Sequence, residues 1–258
     1  GNVFQLVQKI EEISFPESVH RVAEILGINI TELKIVARDE QERKELKRWI
    51  KAIKAMQVHE FEEFHPIGDA KRVTKFKDFK PETIEKFGLF FFDKFYGFNK
   101  SGEPFESNER LAFPINNNGK LIGMSLRATK AHQVPKWLHQ PSMIKVAELL
   151  YNYDNAIGQS EVTVVEGITD VWAYDEIGVI AVCTYGAKVT DEQKRMLLQL
   201  GCKLNFSFDG DEAGIKANQQ AFDLFHYTSD IAFTKMPMGS DPGSLPREEL
   251  KQIYGGRK

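Results

Sequence analysis

Residues 162–184 read VTVVEGITDVWAYDEIGVIAVCT, and residues 203–225 read KLNFSFDGDEAGIKANQQAFDLF. In both stretches a short apolar run leads into an acidic turn that contains glycine, and helical spacing follows. The same rhythm continues around them: strands are predicted at 162–165, 179–184, 203–208 and 231–235, and helices through about residue 177, from Thr190 (with Gln193 completing a capping box) and at 212–225. Short strands alternating with helices predict a mostly parallel sheet covered by helices on both faces.

Carboxylates follow three of these predicted strands directly. Glu166 comes after the first, Asp209 and Asp211 come after the third, and Asp241 comes after the last. Ligands of open α/β sheets bind beyond the carboxyl ends of the strands, so we expect these side chains to meet at one edge. Clustered carboxylates repel one another unless a cation lies among them, and Mg²⁺ prefers oxygen ligands. The pattern favours a divalent-metal site over the alternative, an acidic surface turn.

The composition is that of a globular chain. The 258 residues permit one large domain or two small ones, and 42% of them are hydrophobic. No apolar run approaches the roughly 20 residues of a membrane span, and no signal peptide is visible, so we expect a soluble intracellular protein with no membrane partner. The two cysteines, Cys183 and Cys202, lie in apolar stretches without a metal-ligand spacing, and we expect them to be buried and reduced.

Charge is unevenly distributed although the net charge is only −3. Residues 110–147 hold six Lys or Arg and no acid, whereas residues 161–258 hold fifteen acids and ten bases. A basic segment without acids is suited to binding a phosphate backbone, and an acidic segment supplies the ligands that a divalent metal needs. The basic stretch also contains a predicted β-hairpin, with strands at 112–115 and 121–126 around the Asn-Gly turn at 116–119.

Helices are predicted elsewhere in the first half of the chain. The apolar spacing indicates them at 3–13, 18–26, 39–64 and 143–151, and one more begins near Pro81. A soft boundary near Gln159 divides the chain into domains at 1–159 and 160–258.

The motifs, taken in order, resemble those of DnaG-type DNA primases. Glu166–Val171 with Phe208–Gly214 resembles the toprim domain, which primases, topoisomerases and some nucleases share. Segments that match primases more narrowly are Thr83–Leu89, Arg110–Ile115, Ser125–Arg127, Pro135–Pro141, Thr184–Ala187 and the Asp241-Pro242 loop. The family often has Asp-Pro-Asp where this chain has Asp241-Pro242-Gly243, and it has a zinc ribbon and a helicase-binding domain that this stretch does not contain.

The resemblance implies an α/β fold, with an α+β N-terminal subdomain followed by a Rossmann-like toprim sheet. It implies an enzyme that synthesises RNA primers on a single-stranded DNA template from NTPs, with Mg²⁺ or Mn²⁺ as cofactor. It also implies a replicative helicase as partner, through a region outside this chain. We expect a bacterial cytoplasmic location, or the cytoplasm of the host if the chain is from a bacteriophage.

Residue roles follow from the same resemblance. Glu166, Asp209 and Asp211 are the expected catalytic metal ligands, and Asp170 and Asp241 are further metal candidates. The residues expected to bind nucleotide phosphates or the template are Arg110, Arg127, Lys136 and Lys145. For the aromatic residues Trp137 and Phe113, packing in the core is expected rather than stacking on bases.

Two alternatives use the same residues differently. A toprim nuclease would cleave DNA with the same carboxylates, and a catalytically silent module would bind single-stranded DNA without a metal-dependent product. A topoisomerase is disfavoured, because it needs a nucleophilic tyrosine in a large domain after the toprim unit, and only about 90 residues follow Glu166 here.

Overall fold

The computed structural model describes residues 3–13, the single positions 18, 21, 22 and 25, and residues 62–256. Its helices are α1 (Val3–Glu11), α2 (Pro81–Phe87), α3 (Tyr153–Ala156), α4 (Ile168–Glu176), α5 (Asp191–Gln199), α6 (Glu212–Phe225) and α7 (Arg247–Gly255). Its strands are β1 (Ile67–Arg72), β2 (Phe90–Phe98), β3 (Pro104–Asn117), β4 (Lys120–Ala128), β5 (Trp137–Gln140), β6 (Glu161–Val165), β7 (Ala181–Cys183), β8 (Lys203–Phe206) and β9 (Ile231–Phe233).

The C-terminal half contains the predicted parallel sheet. Its strand order is β7-β6-β8-β9, and every neighbouring pair is parallel. Alternate residues of β6 face opposite layers: Val165 packs with α4, whereas Val162 and Val164 pack with α5 and α6. Helices therefore cover both faces, as the alternating pattern predicted. The capping box of Thr190 and Gln193 at the start of α5 is also confirmed.

The N-terminal half is built on an antiparallel sheet in the order β1-β2-β3-β4-β5. The predicted hairpin is β3–β4, and its turn has positive φ at Asn118 (51°) and Gly119 (72°), the geometry that Asn-Gly favours. The structure adds three strands that the sequence patterns did not predict, β1, β2 and β5. The strand β2 is so rich in aromatic residues that its sequence does not show the alternation of apolar and polar residues by which strands are predicted.

One predicted helix is wrong. Residues 143–151 contain only a 3-10 turn at Val146–Glu148. The chain then extends, because the backbone of Tyr151 exchanges two hydrogen bonds with Cys183, of 3.0 and 3.2 Å, and so continues the sheet beside β7. Pairing with a buried strand overrides the helical spacing.

Two other predicted helices fall mainly outside the described residues. Of 39–64, only 62–64 are described, and they are not helical. Of 18–26, the described positions 18, 21, 22 and 25 are helical. The α1 and α2 predictions are confirmed, and α3 and α7 are helices that the sequence patterns did not predict.

A single aromatic cluster joins the two halves. Trp172 of α4 is fully buried, and its ring lies 5.4 Å from Phe79, 5.3 Å from Phe87 and 5.5 Å from Phe113. These partners belong to the N-terminal half, so the two predicted domains share a hydrophobic core. The boundary at 159/160 stays a prediction, and it falls in the exposed turn before β6.

A buried carboxylate reinforces the same junction. Glu176, at the end of α4, accepts hydrogen bonds from the backbone N–H of Lys80 (2.6 Å) and the hydroxyl of Thr83 (2.9 Å). Its other oxygen pairs with Arg247 of α7 at 2.6 Å, and its side chain is 1% exposed. One side chain therefore ties α2, α4 and α7 together.

Candidate functional site

Glu166 and Asp209 meet at the carboxyl edge of the parallel sheet. The strands β6 and β8 are neighbours in register, with Val164 opposite Phe206, so their following residues leave the sheet side by side. The backbone N–H of Asp209 donates to Oε1 of Glu166 at 3.1 Å. The structure thus brings together residues that are 43 positions apart, as the strand-end rule predicted.

Asp209 carries the least satisfied carboxylate of the site. Its Oδ1 is buried and has no hydrogen-bond partner among the described residues. Burial, with added repulsion from Glu166, Asp241 and Asp211, raises its pKa to about 7. A buried anionic oxygen without a partner is costly, and a cation among these carboxylates would remove that cost.

The other two predicted ligands are held by the backbone. Burial, and to a smaller extent repulsion from Asp211, raises the pKa of Glu166, against the opposing effect of the Asp209 N–H. Asp211 is exposed and is the N-cap of α6, where its side chain accepts from the N–H of Gly214 at 2.8 Å. Asp211 could bind a metal and cap the helix through its two different oxygens.

Asp170 lies deeper than a typical metal ligand. It is 4% exposed, and its two oxygens accept from the N–H of Gly167 (2.8 Å) and of Gly243 (3.0 Å). These bonds connect the turn after β6 to the loop after β9, which carries Asp241. Burial raises the pKa of Asp170 to about 8, with further contributions from Asp209 and Asp241.

Two glycines let the acidic loops approach closely. A Cβ on Gly210 would lie 1.8 Å from the carbonyl oxygen of Pro237. A Cβ on Gly243 would lie 2.8 Å from Asp170 and 3.1 Å from Asp241. At position 243, where the related family often has an acid, a side chain would therefore require the Asp170 and Asp241 side chains to shift.

The cluster is not a closed coordination sphere. Among the residues that the structure describes, no group of three or more His, Cys, Asp or Glu is spaced to hold a metal ion. The chemistry of the donors nevertheless fits a hard divalent cation: all are carboxylates, and Asp209 presents an unpartnered oxygen.

The four predicted phosphate-binding residues fall into two pairs. Arg110 is 3% exposed and donates to Ser107 (2.7 Å) and to the carbonyl of Pro135 (2.8 Å), and burial lowers its pKa. Lys145 is exposed but pairs with Glu148 at 2.9 Å. Arg127 and Lys136 form no ion pair within the described part of the chain, so they are the two that are available to phosphate.

The acid-free stretch is partly neutralised from its flanks. Glu109 pairs with Lys130 and Glu148 pairs with Lys145, and both acids lie just outside residues 110–147. The sequence count alone therefore overstates the free positive charge of this segment.

Further polar and aromatic groups at the junction lie in the primase-like segments Ser125–Arg127, Pro135–Pro141 and Thr184–Ala187, although the sequence assigned no role to Ser125, His139 or Tyr185. Ser125 and Nδ1 of His139 are hydrogen-bonded at 3.0 Å, and the His139 ring lies 6.1 Å from that of Tyr185, whose hydroxyl is buried without a partner in the described structure. Trp137, predicted to be in the core, is 36% exposed, whereas Phe113 is fully buried as predicted.

No membrane-crossing segment is present in the part of the chain that the structure describes, since none of its helices is long and apolar enough.

Comparison with known proteins agrees with this architecture. Residues 163–245 match the Toprim-like family. A DNA primase of Enterococcus faecalis is 28% identical over 305 aligned positions, which cover 96% of this chain and 47% of the relative. The chain therefore spans about half the length of the curated relatives that it matches.

Solved structures give the same result. The RNA polymerase domain of the Mycobacterium tuberculosis primase DnaG is 25% identical, with a TM-score of 0.53 over 63% of this chain and 60% of that one. A DnaG primase catalytic domain bound to ssDNA is 28% identical, with a TM-score of 0.50 over 62% of this chain and 56% of that one. The chain is therefore similar to DnaG-type primases, and the similarity covers their catalytic core with its toprim-like domain.

Proposed function

We propose that this chain synthesises short RNA primers on single-stranded DNA by metal-assisted nucleotidyl transfer. The observation that carries the proposal is the buried, unpartnered Oδ1 of Asp209 beside Glu166, at the strand ends of a toprim-like sheet. The relatives named DNA primase align over nearly the whole chain, which supports the same activity here.

Mg²⁺ or Mn²⁺ is the cofactor that we propose. Glu166, Asp209 and Asp211 would bind the ion, and Asp241 would be a further candidate ligand. Asp170 would hold the loops in place through its hydrogen bonds to Gly167 and Gly243. A bound divalent ion would activate the attacking 3′-hydroxyl and neutralise the triphosphate. The carboxylates would position the divalent ion and offset its positive charge, and their mutual repulsion in the metal-free protein favours binding of the ion.

The basic residues would position the phosphates. Arg127 and Lys136 would contact the template backbone or an NTP, because neither is committed to an ion pair in the described structure. Arg110 would act by holding the carbonyl of Pro135, next to Lys136. Lys145 would contribute only after release from Glu148. Single-stranded DNA and NTPs are thus the proposed partners, the cytoplasm is the proposed compartment, and a replicative helicase stays a prediction from the resemblance.

A toprim nuclease is the second candidate, because the same carboxylate cluster could serve hydrolysis. The test is to incubate the protein with single-stranded DNA, labelled NTPs and Mg²⁺ or Mn²⁺, beside Asp209→Asn and the exposed control Asp230→Asn, with end-labelled DNA in parallel. RNA products from the parent and the control, absent with Asp209→Asn, are expected. Shortened DNA without RNA would establish the nuclease instead. Salt-sensitive DNA binding without either product would leave a silent binding module.

A further inference from the structure

The peptide group between Glu166 and Gly167 lies where the chain leaves strand β6 and turns into helix α4. Its N–H donates to the carboxylate of Asp170 at 2.8 Å. Its carbonyl oxygen, which belongs to Glu166, accepts a hydrogen bond from the thiol of Cys183 at 3.0 Å. Within the described residues no other donor is bonded to that carbonyl. A side chain therefore holds each end of this peptide group.

The sulfur of Cys183 is fully buried and is hydrogen-bonded on two sides. Cys183 is the last residue of strand β7, and it lies in register with Val165, the residue before Glu166. The backbone N–H of Tyr185 donates to the sulfur at 3.1 Å. A neutral thiol is a weak donor and a weak acceptor, so a sulfur that accepts from Tyr185 can direct its own proton to the Glu166 carbonyl.

The direction of the Glu166 carboxylate depends on the backbone that carries it. The carboxylate accepts a hydrogen bond at 3.1 Å from the backbone N–H of Asp209, the neighbouring acid at the sheet edge. The rotamers open to a side chain depend on its backbone angles, so a fixed peptide after Glu166 limits the directions of its carboxylate. Groups that lie behind a metal ligand and fix its orientation raise the affinity of the site for the metal. The Cys183 thiol is such a group, although it is 17 positions away in the sequence.

We propose that Cys183 is a positioning residue, whose thiol holds the peptide between Glu166 and Gly167 so that the Glu166 carboxylate faces the metal site. The thiol touches neither the metal nor the substrate, and its role is that of a hydrogen-bond donor. The inference rests on the proposed function, because a metal centre must exist for Cys183 to position one of its ligands. A hydroxyl at position 183 can donate to the same carbonyl, whereas a methyl group cannot.

The first test is Mn²⁺ affinity, measured by electron paramagnetic resonance on the protein without DNA or NTPs. Cys183→Ala should weaken Mn²⁺ binding by about tenfold, the effect expected when a group that orients a metal ligand is removed. Cys183→Ser, which keeps a donor, should recover a large part of the affinity. Cys202→Ala is the matched control, because it removes the same atom from a buried position just before strand β8, at the opposite edge of the sheet from the carboxylates. It should leave Mn²⁺ affinity unchanged.

Urea unfolding of the same proteins separates positioning from a purely structural role. A structural role would lower the stability of both alanine variants while both kept the Mn²⁺ affinity of the parent. Equal Mn²⁺ affinity of Cys183→Ala and the parent would therefore overturn the inference and leave the metal centre intact, and so would a serine variant as weak as the alanine variant. A parent protein that binds no Mn²⁺ would instead refute the proposed metal centre, and the inference with it.

A second measurement observes the thiol directly and needs no variant at position 183 to fold. The chain contains two cysteines, so Cys202→Ala leaves a single S–H stretching band in the infrared spectrum, that of Cys183. Donation of a hydrogen bond lowers the S–H stretching frequency, so this band should lie below the frequency of a free thiol. A band at the free-thiol frequency would show that the thiol does not hold the Glu166 carbonyl, and would overturn the inference.

Discussion

The backbone N–H of Asp209 donates to the Glu166 carboxylate at 3.1 Å, while the Asp209 carboxylate has one buried oxygen with no partner. The first contact aligns the ends of β6 and β8, and the second feature leaves negative charge uncompensated. The arrangement of the site therefore lowers the stability of the metal-free protein, and this loss of stability can be measured.

Asp209→Asn should affect stability and metal response in opposite directions. The substitution removes a charge whose pKa burial and neighbouring acids raise to about 7, so at pH 8 in EDTA the variant should be more stable, by on the order of 1 kcal/mol. The parent should gain stability from added Mg²⁺ or Mn²⁺, and the variant should gain much less. Urea unfolding with and without metal measures both. A variant that is destabilised in EDTA would show that the charge is compensated by something else.

Stability without metal should fall as the pH rises from about 4 to about 8. The pKa values of Asp170 and Asp209 in the folded protein are about 8 and about 7. In the unfolded chain an aspartate titrates near 3.9, so the folded state binds more protons across this window and loses stability as they dissociate. Urea unfolding in EDTA at pH 5.5 and pH 8 checks the sign, and the double variant Asp170→Asn/Asp209→Asn should flatten the slope. A parent protein that becomes more stable over this range would contradict the assignment.

Glu176→Gln should destabilise the junction of the two halves by about 2–4 kcal/mol, because it leaves Arg247 without its partner in a mostly buried position. Burial raises the pKa of Glu176, but hydrogen bonds from Lys80, Arg247 and Thr83 outweigh it, so the pKa is lowered overall. Its contribution is consequently present above the usual glutamate pKa and is lost as the pH falls through the lowered one. Glu192→Gln, which removes a more exposed pair with Arg195, is the matched control and should change stability by less than about 1 kcal/mol. Equal effects of the two substitutions would refute a special role for Glu176.

Gly210→Ala should damage the metal site more than the fold as a whole. The added Cβ would lie 1.8 Å from the Pro237 carbonyl oxygen, so the Asp209–Asp211 turn must move away from the loop after β9. Thermal unfolding should show a lower Tm, and Mn²⁺ affinity should fall as well. Gly255→Ala is the control, since a Cβ there meets nothing within 4 Å. Unchanged Mn²⁺ affinity in Gly210→Ala would mean that the turn does not position the ligands.

The sequence predicted the parts of the site that depend on local pattern. Strand-helix alternation placed Glu166, Asp209 and Asp241 at one edge because parallel strands end there together. It could not predict that Asp170 binds the N–H of Gly243, since that contact spans 73 positions and depends on the path of the last loop.

The remaining differences have the same origin in tertiary contacts. Arg110 was expected to be open to phosphate, but it turns inward to Ser107 and Pro135. The helix predicted at 143–151 is replaced by an extended segment because Tyr151 pairs with Cys183. The exposure of Trp137 could not be predicted either, because the sequence of a strand does not distinguish a residue inside the core from one at the edge of the core.

The most direct test of the central claim is Mn²⁺ binding followed by electron paramagnetic resonance, with the unmodified protein beside Asp209→Asn and Asp230→Asn. The account predicts saturable binding by the parent and by Asp230→Asn, and a loss of at least tenfold in affinity with Asp209→Asn. Equal Mn²⁺ binding by all three proteins would contradict a metal centre at the strand ends of this sheet.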